Sequence, residues 1–86
     1  MSGPPVKRSL TLKGHRTSVS LEEPFWQEFR RIASEDGRAL NDLAAEIDAA
    51  RDPGTGLASA MRVFVLERAL ARYSSSGSGG GLDVLM

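Results

Sequence analysis

The chain has 86 residues, with 11 lysines and arginines, 11 aspartates and glutamates, one histidine and no cysteine, and its formal net charge is zero. A domain of this size buries only a modest core, and without cysteine it has neither a disulfide nor a thiolate-ligated zinc to reinforce it. We therefore expect no metal site and no cofactor, and we expect self-association to supply additional core.

The balanced charge conceals an uneven distribution. Residues 1–20 contain four basic residues and no acid, whereas the remaining residues carry a net charge of −4. A local basic patch, rather than the total charge, attracts a polyanion. The sequence shows no secretion signal, and its longest apolar run, residues 63–66, is far too short to cross a bilayer. We expect a cytoplasmic protein that makes no membrane contact.

The first predicted elements are a loose arm at residues 1–6 and a short alternating segment at residues 9–12, which is either an extended piece or an ordered arm. A better strand follows at residues 16–21. Alternation places Thr17, Val19 and Leu21 on one face of it and Arg16, Ser18 and Ser20 on the other. No second strand of matching quality is evident. The expected partner is the same strand of a second copy, in a two-fold antiparallel ribbon.

Three helices are predicted after this strand. The first begins near Glu22 to Pro24 and ends before Gly37, which supplies a left-handed stop. The second ends near Arg51. A third runs from residue 57 or 59 to residue 73; residues 63–66 alone would also fit a strand, but the longer spacing favours a helix. The apolar positions that define the first two helices are Phe25, Trp26, Phe29, Ile32, Ala33, Leu40, Leu43, Ala44 and Ile47.

Catalytic side chains are scarce. There is no cysteine nucleophile, no second histidine and no phosphate-binding glycine motif. The acid pairs at residues 22–23 and 35–36 fall where helix ends and solvated surfaces usually carry acids. We expect a protein that is not an enzyme.

The polar face of the predicted strand has two interpretations. A two-stranded ribbon fits the major groove of DNA, where arginine bonds a guanine edge and hydroxyls bond several bases. On this interpretation Arg16, Ser18 and Ser20 contact bases, while Lys13 and His15, just before the strand, contact phosphates. The same residues would also make an ordinary solvated face.

The order of elements resembles the ribbon-helix-helix superfamily of bacterial DNA-binding proteins. A basic strand, a helix ending in "SEDGR" and a second helix opening with "ALNDLAAEI" carry the resemblance over residues 16 to about 50. The segments "KRSLTLKGHRTSVSLEEPFWQEFRRIA" and "LASAMRVFVLERAL" extend it over residues 7–71, toward a small subfamily with an extra C-terminal helix.

The resemblance implies a mainly α fold, in which one short N-terminal strand pairs across an intertwined homodimer and two core helices precede a third. The domain would span residues 7–73, between the arm and a Ser/Gly tail at residues 74–86. A DNA phosphate would meet the start of the second helix at Ala39, Leu40 and Asn41. Ala39 departs from the serine or threonine common there. The expected dimer core comprises Thr17, Val19, Leu21, Trp26, Phe29, Leu43 and Ile47.

Two functions remain open. The first is DNA binding by a homodimer on double-stranded DNA, in transcriptional repression or autoregulation. The second is an antitoxin or adaptor that binds a protein partner through the third helix and the C-terminal "LDVLM". That apolar end is equally consistent with a protease-recognition tag or with no role.

Overall fold

A computed structural model describes residues 3–76 of the chain, and the side chains of residues 3–73. In chain order it contains two strands and three helices: β1 (Val6–Leu12), β2 (His15–Leu21), α1 (Glu23–Glu35), α2 (Leu40–Ala50) and α3 (Leu57–Ser76). The three predicted helices are confirmed, and residues 63–66 lie within α3. The predicted tail beyond residue 76 and the first two residues of the arm lie outside the described residues. No helix of residues 3–76 is long and apolar enough to cross a membrane.

The two strands form an antiparallel hairpin within the chain, and this corrects the expected pairing. The strand predicted at residues 16–21 does not need a second copy, because β1 pairs with it from Val6↔Leu21 to Leu12↔His15. The connecting residues Lys13 (φ 52°) and Gly14 (φ 86°) both have positive φ. Two such residues make a type I′ turn, whose twist matches that of the flanking strands. The pairing is therefore local, and β1 includes Val6, which the sequence assigns to the arm.

Helix α1 ends as its sequence predicts. Gly37 has φ 65°, its N–H donates to the carbonyl oxygen of Ser34 at 3.1 Å, and the N–H of Arg38 donates to the carbonyl oxygen of Ala33 at 2.9 Å. These two bonds define a Schellman motif, which requires a residue tolerant of the left-handed conformation. The stop at Gly37 turns the chain into α2.

One apolar core lies between the inner face of the hairpin and the three helices. Of the residues expected in a dimer core, Thr17 is half-buried and the other six are buried in the core of the single chain. The core also takes residues from β1, which were not expected there, and from α3, whose predicted apolar face includes Met61 and Val65. The buried residues from these two elements are Leu10, Leu12, Met61 and Val65.

Helix α3 packs across α1. The rings of Phe64 and Phe29 meet edge to face, with centroids 6.1 Å apart. Arg68 donates to both carboxylate oxygens of Asp36, at 3.1 and 2.9 Å, at the C-terminal end of α1. Arg62 donates to Glu22 at 3.0 Å at the other end of α1. The orientation of α3 is therefore fixed at two separated points.

Candidate nucleic-acid interface

The hairpin presents a continuous polar face to solvent. Directly paired residues in an antiparallel ladder share one face, so the register Lys7↔Ser20, Ser9↔Ser18 and Thr11↔Arg16 places six polar side chains together. We call these six residues the outer face; Ser20 is half-buried and the other five are exposed. The outer face thus carries four hydroxyls and two cations on a two-stranded ribbon.

The three predicted base-contacting residues, Arg16, Ser18 and Ser20, all lie on the outer face. Sequence reasoning missed Ser9 and Thr11, which β1 contributes, and it did not include Lys7 among the base-contacting residues. The signal that could have found them is a two-residue Lys13-Gly14 loop between two alternating runs, which is typical of a hairpin. Lysine is an uncommon first residue of such a turn, and this weakened the signal.

The positive charge of the hairpin is not neutralised within the described part of the chain. Lys7, Lys13 and Arg16 form no ion pair among residues 3–73, and every other lysine or arginine has a carboxylate partner. The paired cations are Arg8, Arg30, Arg31, Arg38, Arg51, Arg62, Arg68 and Arg72. The uncompensated cations are therefore confined to β1, the turn and β2.

Arg8 belongs to the opposite side of the hairpin from Lys7. It bonds Glu23 at 3.2 Å, and its guanidinium lies 5.7 Å from the ring centroid of Trp26. Trp26 is fully buried, and its Nε1–H donates to the carbonyl oxygen of Val6 at 2.8 Å. Neither side chain faces the solvent side of the ribbon, so Arg8 is separated from the cations that could follow a phosphate backbone.

Two of the predicted phosphate-contacting residues lie at the turn end of the hairpin. Lys13 and His15 are both exposed. Lys13 borders a shallow groove with Arg38, Asp42 and Glu46 of the α2 side, and His15 borders another with Asp48 and Arg51. The turn therefore lies near both acidic and basic side chains of α2 and its flanking residues.

The other predicted phosphate-contacting residues lie at the start of α2, beside the edge of β1. Ala39 is the N-cap and supplies no side-chain hydrogen bond, so the first N–H groups of α2 retain the orientation and partial positive charge of an open helix end. Asn41 does not cap the helix, because its Oδ1 accepts from the N–H of Thr11 at 3.4 Å. Arg38 pairs with Glu46 instead. The contact between Asn41 and Thr11 holds this helix end against the ribbon.

The carboxylates whose pKa values are shifted are not residues of the outer face. Hydrogen bonds from its own backbone N–H and from Arg62 lower the pKa of Glu22. A hydrogen bond from Arg31 lowers the pKa of Glu28, and one from Arg68 lowers that of Asp36. These groups are parts of ion pairs between or along helices. Among residues 3–76 no three His, Cys, Asp or Glu side chains cluster in a way that could hold a metal ion.

A small domain with a polar, basic two-stranded ribbon followed by helices has the architecture of proteins that read DNA with strands. The family model described as "Ribbon-helix-helix domain" matches residues 5–69. The chain therefore belongs to the ribbon-helix-helix family, which confirms the resemblance seen in the sequence. This family is generally associated with DNA binding and is typically non-catalytic. No curated protein and no solved structure matches the chain.

Proposed function

We propose that the chain binds double-stranded DNA by inserting the outer face of its own hairpin into the major groove. The observation that carries this proposal is the confinement of the uncompensated cations to the hairpin, where two of the three lie among hydroxyls on the outer face. A ribbon of two strands, about 5 Å apart, fits a groove about 12 Å wide.

Base reading is assigned to the outer face as a whole. Arg16 is the residue suited to a forked bond with guanine, and the hydroxyls of Ser18, Ser20, Ser9 and Thr11 bond several base edges. Because a hydroxyl donates or accepts, these residues alone discriminate weakly. The proposed recognition is thus specific at the base pair that meets Arg16 and semi-specific elsewhere.

Phosphate contacts are assigned to the margins of the hairpin. Lys13 and His15 extend from the turn, and the N–H groups at Leu40 and Asn41 lie at the open start of α2. Such contacts position a protein on the duplex without reading its sequence. The proposed biological role is transcriptional repression or autoregulation. A small protein without catalytic groups that occupies an operator acts by excluding other proteins from that DNA.

The first test compares Arg16→Ala with wild type. Duplexes selected from a random pool provide the preferred site, and fluorescence anisotropy gives the dissociation constant at two salt concentrations. Removal of a forked arginine bond to guanine should weaken binding to the preferred duplex by about 5- to 150-fold, or about 1–3 kcal/mol. Binding to random duplex should weaken less, because only a charge is removed there.

Arg30→Ala is the matched control. Arg30 is an exposed arginine of α1 that already pairs with Glu23 at 3.8 Å. This variant should bind the preferred duplex as wild type does. If Arg16→Ala and the double variant Ser9→Ala/Ser18→Ala both bind like wild type, the outer face is not the reading surface.

A further inference from the structure

The large apolar side chains that remain exposed in the described part of the chain all belong to α3. They are Val63, Leu66, Leu70 and Tyr73, with exposed fractions of 51%, 54%, 57% and 79%. We call these four residues the α3 stripe. Single exposed apolar residues are ordinary, whereas four on one helix form a patch of the kind that marks an interaction surface.

The stripe lies on the side of α3 that faces away from the core. Its spacing of three, four and three residues keeps the four side chains on one side of a helix, since residues three and four apart are neighbours. Met61 and Val65 are buried on the opposite side. Because Arg62 binds Glu22 and Arg68 binds Asp36, at the two ends of α1, α3 cannot turn its stripe inward without breaking these contacts.

We infer that the α3 stripe is covered by the α3 stripe of a second copy, packed in parallel. Apolar residues spaced three and four apart, with an average of 3.5, make the seam of a two-stranded coiled coil. A β-branched residue at the first seam position and leucine at the second, as in Val63 and Leu66, favours two strands over three or four.

Charges beside the stripe support the parallel orientation. Glu67 follows Leu66 on one side of the stripe and forms no ion pair among residues 3–73, while Arg62 lies five residues earlier on the other side. Parallel packing sets Glu67 of one copy opposite Arg62 of the second, where it joins the pair that Arg62 makes with Glu22. Antiparallel packing would instead bring the two Glu67 carboxylates toward each other.

The size of the patch sets the strength of the association. Covering four such side chains on each of two copies removes on the order of 1,000 Å² from water, which is the lower limit for a specific interface. We therefore expect a weak dimer that exchanges with single chains. This surface is separate from the outer face of the hairpin, so the inference does not depend on DNA binding.

Sedimentation equilibrium of the complete 86-residue chain tests the inference. Wild type should change from the mass of one chain to that of two as its concentration rises from micromolar to several hundred micromolar. Leu66→Glu/Leu70→Glu should remain a single chain throughout. Both positions are exposed, so circular dichroism and Trp26 fluorescence should show an unchanged fold. The control Ala71→Glu adds one of these two negative charges at an exposed position beside the stripe and should dimerise like wild type.

The absence of cysteine provides a second test. Parallel packing brings the two Leu66 Cα atoms within about 7 Å, the range in which a disulfide forms. Leu66→Cys should therefore cross-link into a covalent dimer under mild oxidation, and Ala49→Cys, at an exposed position of α2, should not. A wild-type chain that stays monomeric at several hundred micromolar, as it would if residues 82–86 or another protein covered the stripe, overturns the inference. A dimer that survives Leu66→Glu/Leu70→Glu, or that does not cross-link through Leu66→Cys, also overturns it.

Discussion

Trp26 connects the start of β1 to α1. Its ring is fully buried, Arg8 lies over it, and its Nε1–H donates to the carbonyl oxygen of Val6. The indole therefore stabilises the docking of the hairpin and is not available to stack on bases. Because it is the one tryptophan of the sequence, its fluorescence reports directly on this contact.

Replacing Trp26 with phenylalanine should destabilise the fold. The variant keeps an aromatic ring beneath Arg8 but leaves the Val6 carbonyl without its donor, and an unsatisfied part-buried acceptor costs about 1–3 kcal/mol. Urea unfolding followed by circular dichroism measures the change. An unchanged free energy of unfolding would show that solvent replaces the indole N–H without cost.

Gly14 is required by its backbone conformation and not by lack of space. No heavy atom lies within 4 Å of a Cβ built there, yet its φ is 86°. Gly14→Ala should therefore lower the free energy of unfolding by about 1–2 kcal/mol, the cost of a left-handed non-glycine residue. Gly54→Ala is the control, because Gly54 has equal space and no positive φ; this change should be neutral or slightly stabilising. Equal effects of the two substitutions would contradict the explanation from φ.

Ionised carboxylates help to hold α3 against the rest of the fold. Its arginines reach Glu22 and Asp36, whose pKa values are lowered by hydrogen bonds to the backbone and Arg62 and to Arg68 respectively. A lowered pKa in the folded state means that the unfolded chain takes up protons first. The stabilisation is therefore present near neutral pH and is lost as the pH falls through the acidic range.

Acid should thus destabilise the fold by weakening the ion pairs that hold α3. The free energy of unfolding, measured in urea between about pH 7 and pH 3, should fall as the pH is lowered, and Glu22→Gln/Asp36→Asn should flatten this dependence. Asp52→Asn is the control, since Asp52 is exposed and forms no ion pair among residues 3–73; its profile should follow wild type. A double variant with the wild-type slope would assign the acid sensitivity to other carboxylates.

Elements with a full helical period could be predicted from the sequence, whereas β1 could not. The stripe from Trp26 to Ala33 and the stop at Gly37 follow from spacing and from glycine's backbone freedom. Arg8 interrupts the apolar side of β1, so the alternation of this strand is recognisable only once it is paired with β2. The six-residue outer face was half predicted for the same reason: alternation predicted one strand, and only the register reveals the other.

At the scale of the whole molecule, charge is segregated although the total is zero. The helices neutralise their own arginines, while Lys7, Lys13 and Arg16 have no carboxylate partner in the described part of the chain. Substitution of these three residues should therefore change the affinity for DNA but leave the free energy of unfolding nearly unchanged.

Lys7→Gln/Lys13→Gln/Arg16→Gln should change the free energy of unfolding by less than about 0.5 kcal/mol, as exposed positions without partners usually do. The slope of log affinity against log salt should fall by about 0.9 for each phosphate that the variant no longer neutralises. Urea unfolding and anisotropy titrations measure the two quantities. A triple variant with the wild-type salt slope would exclude the hairpin as the source of phosphate contacts.

The hairpin has a further consequence for how the protein would respond to dilution. Since both strands belong to one polypeptide joined by two residues, the separation of two copies leaves the outer face whole in each. Occupancy of an isolated half-site would then follow the first power of protein concentration. Association through α3 would add the DNA contacts of a second copy, but the first copy would not need it in order to bind.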